Sequence, residues 1–128
     1  MIYKTTEYTG LKKNYFDKIL KEIIKISDLK RDIKILDFGC GEKRLEKLLG
    51  KKIYNYDIKP EYSDLKTYDE TKYDIVIFNQ ILMYLDVNQQ IELFSKLYSL
   101  NPKMEFVIGE SRKNLLSKIM AYINFEFN

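Results

Sequence analysis

The 128-residue sequence predicts a doubly wound α/β domain, with a mostly parallel sheet and helices on both faces. Short apolar runs rich in branched and aromatic side chains recur at 33–38, 52–57, 73–79 and 104–109. They are too apolar on both sides to face water. Stretches of helical period alternate with them, and the first run passes through the turn "DFGCG" straight into such a stretch. Strand, glycine turn and helix in that order are the unit of a parallel sheet.

The elements follow in chain order. "LKKNYFDKILKEIIKI" puts Leu11, Tyr15, Ile19, Leu20, Ile23 and Ile24 on one side of a helix and lysines on the other. It lies in a basic amphipathic region, residues 1–32, that should pack on something flat. Ile33, Ile35 and Leu36 make the first strand; Leu45, Leu48 and Leu49 space a helix over 42–49 that Gly50 stops. "KIYNYD" is a strand over 52–57, a weaker extended piece lies around 63–67, and "YDIVIFN" is a strand over 73–79. Asp86 or Asn88 caps a helix within 87–99 that buries Ile91, Phe94, Leu97 and Tyr98. "MEFVIG" is the strand 104–109, and "SRKNLLSKIMAYI" a last helix with Ser111 as its cap. One domain over residues 1–128 accounts for the whole pattern.

Composition removes several chemistries. Histidine is absent, which excludes Ser-His-Asp and Cys-His catalysis and His-rich zinc sites. The single cysteine, Cys40, excludes an internal disulfide or a multi-cysteine metal cluster, so no metal is expected. No run is long enough to span a bilayer and no signal-peptide pattern stands at the start, giving the expectation of a cytoplasmic protein with no membrane partner. The net charge of +3 is uneven: residues 1–34 hold nine Lys/Arg against five Asp/Glu, the remainder 13 against 14. A solvated helix face explains this excess; a weak landing surface for RNA or another polyanion is the sharper reading.

In a doubly wound sheet ligands sit at the C-terminal strand ends, where the strand order reverses. Those ends carry "DFGCG", Asp57, Asp64 with Leu65, and "FNQ". Asp57, 16 residues after Gly41, is placed to accept both hydroxyls of a ribose. A dinucleotide fingerprint would need glycine at position 44, which is Arg44. The ligand that fits better joins adenosine to a zwitterionic tail, its carboxylate on the helix start and its ammonium on Asp37 or nearby carbonyls, and S-adenosylmethionine has that anatomy.

With these residues in view, the stretch from about Ile33 to Glu110 resembles the class I S-adenosylmethionine-dependent methyltransferases, a Rossmann-like family. "ILDFGCG" resembles the first motif, "IYNYDI" the second, "SDLKTYDETKYDIVIFNQILMYLD" the adenine-binding segment and the strand after it, and "LYSLNPKMEFVIGES" the turn into the next strand. The resemblance implies S-adenosylmethionine as cofactor, with Asp37, Gly39, Cys40 and Gly41 at the turn, Asp57 and Ile58 at the ribose, Asp64 and Leu65 at the adenine, and Asn79 at the next strand end. Cys40 is a packing residue there rather than a nucleophile, and Asp74 braces its strand.

Four departures stand out. Lys43 replaces the third glycine of G-x-G-x-G, crowding the methionine end or sending an ammonium to its carboxylate. Only six residues separate Asp57 from Asp64, too few for the usual helix. Tyr84 stands where many members have histidine. The antiparallel closing hairpin is missing or reduced to "INFEF", whose alternation reads as a half-buried strand. That strand lies beside 104–109 or leaves the edge to a second copy or a partner subunit.

The resemblance implies methyl transfer to an acceptor, whether a small molecule, RNA or a protein, with Tyr84 as candidate catalytic residue. Tyr84, Glu110 and Asp37 are the candidate bases for an oxygen acceptor. The rival reading is a non-catalytic S-adenosylmethionine-binding or partner subunit that keeps the fold.

Overall fold

The computed structural model describes residues 10–109 and 121–124. The chain runs α1 (Gly10–Ile26), β1 (Ile35–Phe38), α2 (Arg44–Leu49), β2 (Tyr54–Tyr56), β3 (Ile75–Asn79), a 3₁₀ turn (Leu82–Tyr84), α3 (Val87–Leu100), β4 (Glu105–Gly109) and β5 (Ala121–Asn124). One sheet holds the strands in the order β2-β1-β3-β4-β5. The first four are parallel, and β5 runs antiparallel along β4. β1 sends the chain outward to β2, and β3 returns on its other side, so the order reverses between β1 and β3.

Alternation along the strands sorts the core into two layers, because successive strand residues point to opposite faces. Ile35, Ile75, Ile77 and Val107 face α1 and α2, meeting Phe16, Ile19, Leu20, Ile23, Leu45 and Leu49. Leu36, Phe38, Val76, Phe78 and Phe106 face α3, meeting Leu93 and Leu97. β3 is the centre of the domain: Ile75, Val76, Ile77 and Phe78 are all fully buried. Each such side chain contributes about 1.5–3 kcal/mol on burial. That explains why the most apolar run became the middle strand.

Asp74 braces the start of β3, as expected, by accepting the Lys34 amide at 2.7 Å. Asp86, rather than Asn88, caps α3 through a reciprocal box with Gln89.

Several expectations need correction. α2 begins at Arg44, not 42, because Lys43 takes a left-handed conformation (φ 61°) and delays the helix. No strand forms at 63–67. The hydroxyl of Ser63 instead accepts the Asp57 and Leu65 amides, which turns the chain back before a ladder can form. In α3 Leu97 is buried and Phe94 packs on the core as expected, but Leu93 is buried in place of Ile91, which is 59% exposed. The helix expected over 111–123 with Ser111 as cap falls largely outside the described residues, but its last part, Ala121–Ile123, is strand. The closing strand thus starts two residues earlier than "INFEF", with Ile123 in register with Phe106. Glu110 and residues 125–128 lie outside the described residues.

Candidate functional site

The reversal point between β1 and β3 gathers the turn after β1 and the loops after β2 and β3. Gly39 and Gly41 both have positive φ, 86° and 51°. At Gly39 a Cβ would lie 2.8 Å from the side chain of Ile81 in the loop after β3. So this glycine lets two strand-end loops close on each other, as well as shaping the turn.

Asp57 fixes that turn from β2. One carboxylate oxygen accepts the Gly41 amide at 2.9 Å and the other accepts the Lys59 amide at 2.9 Å. The side chain is buried, and the Gly39 and Cys40 amides bond to the Tyr56 carbonyl at 2.8 and 3.0 Å. Turn and strand end are therefore one hydrogen-bonded unit. Ile58, next in the chain, is exposed.

Asp37 lies beneath the turn, 6% exposed, and no donor among the described residues bonds its side chain. Burial foremost, then the charges of Asp57 and Glu46, pushes its carboxyl up to about 7. Beside it in register, Asn55 is fully buried. Its amide donates to Glu46 at 2.8 Å and Asp64 at 3.2 Å, while its oxygen lacks a partner. Two acceptors without donors thus stand in register on adjacent strands under the glycine turn, a setting that favours a cation or a proton.

Asp64 is occupied from three sides. Lys43 Nζ lies 2.5 Å from Oδ1, while Asn55 and Lys52 reach Oδ2 at 3.2 and 3.4 Å. The Lys43 hydrogen bond foremost holds this carboxyl below its ordinary range, and the same bond holds the Lys43 ammonium above its own. Lys43 thus crosses the mouth of the cleft to Asp64. Leu65 packs half-buried against the α3-side core with Phe38 and Tyr56.

Cys40 is buried, its Sγ 3.4 Å from the Tyr62 carbonyl, and burial pushes its thiol far up, with Asp37 adding to the effect. A thiol so disfavoured as thiolate packs rather than attacks. On the β3 side, Asn79 Oδ1 lies over Gly109, where a Cβ would come within 2.6 Å of it. Tyr84, in the 3₁₀ turn, is a half-buried ring against the α3-side core.

Sequence reasoning missed Asn55, Glu46, Ser63, Ile81 and Gln80. Gln80 is left-handed (φ 59°) and its amide bonds the Gly109 carbonyl at 2.7 Å. Only Asn55, an amide between two tyrosines in a strand, carried a readable signal.

The arrangement has relatives. The structure is similar to that of the protein PH0226 from Pyrococcus horikoshii OT3, with a TM-score of 0.64 and 17% identity over 83% of this chain and 61% of that one. It is also similar to magnesium protoporphyrin IX methyltransferase (ChlM) from Synechocystis PCC 6803 with bound SAM, with a TM-score of 0.59 and 18% identity over 87% of this chain and 67% of that one. The same enzyme with bound SAH gives a TM-score of 0.58 and 17% identity over 88% and 65%. At such identities the likeness carries the fold alone, and the chain spans 61–67% of the length of these structures. No curated protein sequence matches the chain. The family model described as "Methyltransferase domain" matches residues 11–122, most of the 128. With the strand order, the glycine turn and this match together, the chain belongs to the methyltransferase domain family, in agreement with its motif resemblance to the class I S-adenosylmethionine-dependent enzymes.

Proposed function

We propose that this domain binds S-adenosylmethionine at the reversal point and transfers its methyl group to an acceptor that is a small molecule, RNA or a protein. One observation carries the reading: Asp37, buried without a donor, lies under a left-handed glycine turn braced by Asp57. A ligand tail with an ammonium meets the unanswered acceptors of Asp37 and Asn55, and its carboxylate meets the amides of the turn. The residues present therefore fit the cofactor that the resemblance implies, and the bound state of ChlM points the same way.

When bound, S-adenosylmethionine supplies an electrophilic methyl group on a sulfonium, in need of alignment rather than acid catalysis. Gly41 lets the ligand approach the backbone while Gly39 lets the Ile81 loop close on the turn, and Asp57 holds the turn and offers its carboxylate at the ribose position. Ile58 gives an exposed apolar surface beside it, and Leu65 and Asn79 border the cleft on the adenine and β3 sides. Asp64 is available to an adenine amino group once Lys43 releases it. For an oxygen acceptor, Tyr84 and Glu110 are the candidate groups to take a proton, Glu110 lying outside the described residues, since Asp37 is engaged by the ligand's ammonium.

Calorimetric titration with S-adenosylmethionine and S-adenosylhomocysteine tests the reading. Micromolar dissociation constants are expected for both. Absence of heat at millimolar ligand overturns it, and binding without methyl transfer to any acceptor hands the case to the non-catalytic subunit.

A further inference from the structure

Asn55 is fully buried in β2 and stands in register with Asp37 of β1, and residues paired in this way point to the same face of a sheet. Chemistry fixes which way round its amide sits. Nδ2 donates to Glu46 at 2.8 Å and to Asp64 at 3.2 Å, and the opposite orientation would set the amide oxygen against two carboxylates. Asp64 runs along the outer edge of β2, where its backbone amide donates to the Asn55 carbonyl, whereas Asp37 belongs to the strand on the inner side. With Nδ2 turned outward, Oδ1 is turned toward β1.

That oxygen has no partner, and the Asp37 carboxyl has no donor among the described residues. A buried acceptor left unanswered is costly, and a carboxylate facing an amide oxygen adds repulsion. The charges around Asp37 do not relieve it. Glu46 from α2 and Asp57 from the end of β2 face it with negative charge, and Cys40 from the turn faces it with a neutral thiol. β3 places Ile77 in register with it, and α1 meets this face of the sheet with apolar side chains such as Leu20 and Ile23. The nearby cations are engaged by other carboxylates: Lys43 by Asp64, Lys52 by Asp64 and Glu46, and Arg44 by Asp17.

We propose that Asn55 is a positioning residue: its Oδ1 holds a proton on Asp37 while the site is empty, and the ligand's ammonium takes that proton's place. In the exchange the O–H bond of the Asp37 carboxyl breaks, its electron pair stays on the carboxylate and the proton leaves to solvent. The ammonium then donates to Asp37 and Asn55 in its stead. The exchange rests on the cofactor reading; the proton between Asp37 and Asn55 belongs to the empty protein and does not.

Titration of the Asp37 carboxyl in the full chain without ligand, followed by its ¹³C shift, tests the proton. The midpoint of the parent should lie near 7. Asn55→Leu, close in volume and without donor or acceptor, should lower it by about one pH unit, a tenfold loss of proton affinity, because the protonated form loses its acceptor. A midpoint that stays or rises in a folded variant overturns the proposal. Infrared spectroscopy of the parent needs no variant at position 55. The carboxylic acid band that disappears in Asp37→Asn should lie at the lowered frequency of a hydrogen-bonded group, and a band at the frequency of a free acid overturns the proposal as well. Calorimetry with S-adenosylmethionine at pH 6, in phosphate and in bis-Tris buffers of different ionisation heat, then counts protons. The parent should release close to one per ligand bound, and Asn55→Leu about half as many. Binding without proton release overturns the exchange. Absence of binding overturns the cofactor reading and the exchange with it, while the titration of the empty protein still decides whether Asn55 holds the proton.

Discussion

Lys43 and Asp64 join across the mouth of the candidate cleft at 2.5 Å, tying the end of the glycine turn to the loop after β2. Lys43 does so from a left-handed conformation (φ 61°) that the glycine it replaces would adopt without strain. The strain costs about 1 kcal/mol. A pair this accessible returns about as much or less. Lys43→Gly should therefore change stability by no more than about 1 kcal/mol, read by urea denaturation. It should also raise affinity for S-adenosylmethionine several-fold by freeing Asp64. A lower affinity would show that the ammonium holds the ligand itself.

Asp37 sets a pH dependence. Its folded-state pKa, about 7, lies above the ordinary value of 3.8. The folded protein therefore binds the proton more tightly than the unfolded chain. This contribution to stability is complete below pH 3.8 and is lost as pH rises to about 7. Asp37→Asn should stabilise the protein by about 2–4 kcal/mol at pH 8 and by little at pH 4, measured by denaturant melts. Cofactor affinity should behave oppositely, rising with pH through about 7 as the carboxylate forms, and Asp37→Asn should remove that rise.

Asp57 has both a structural and a binding task. Asp57→Ala deprives the buried Gly41 amide and the part-buried Lys59 amide of their acceptor, so it should cost about 1–3 kcal/mol of stability by thermal melting. Cofactor affinity should fall by tenfold or more in the same variant. Stability loss with unchanged affinity would leave Asp57 as a brace only.

The packing of Gly39 against Ile81 predicts a coupled pair. Gly39→Ala should destabilise by about 1–3 kcal/mol, from positive φ and the 2.8 Å clash together. Ile81→Ala makes room, so the double variant should lose less than the two single losses added. Strict additivity in a double-mutant cycle would place the whole cost in the backbone.

Most of the architecture was legible in the sequence because period and turn chemistry agree. The four parallel strands, α1 to α3 and the glycine turn all follow from them. The exceptions share a cause. On helix α3, Leu97 and Phe94 pack inward as their spacing predicts, Phe94 on Phe78 and Phe106, but Leu93 is buried in place of Ile91, a choice between neighbouring apolar residues that only the packing makes. The 63–67 segment has strand-compatible residues, yet the Ser63 hydroxyl bonds its neighbours first. At the site, the residue types at the strand ends were readable. Their pairings were not: nothing local says that Lys43 reaches Asp64, or that Asn55 lies under both Glu46 and Asp64.

The edge of β2 has a consequence for assembly. Three backbone groups on and beside this outermost strand are already satisfied from within: the Ile53 amide by Glu46, the Asn55 carbonyl by the Asp64 amide, and the Asp57 amide by Ser63. At those three positions the edge has nothing left to offer another chain. Along β5, the opposite edge, no further strand is paired among the described residues. A contact that used β5 of both copies would be self-complementary, with a two-fold symmetry that closes on itself. A head-to-tail contact of β5 on β2, the kind that grows without limit into a fibre, is opposed by the side chain of Glu46, the amide of Asp64 and the hydroxyl of Ser63, which already hold those three groups.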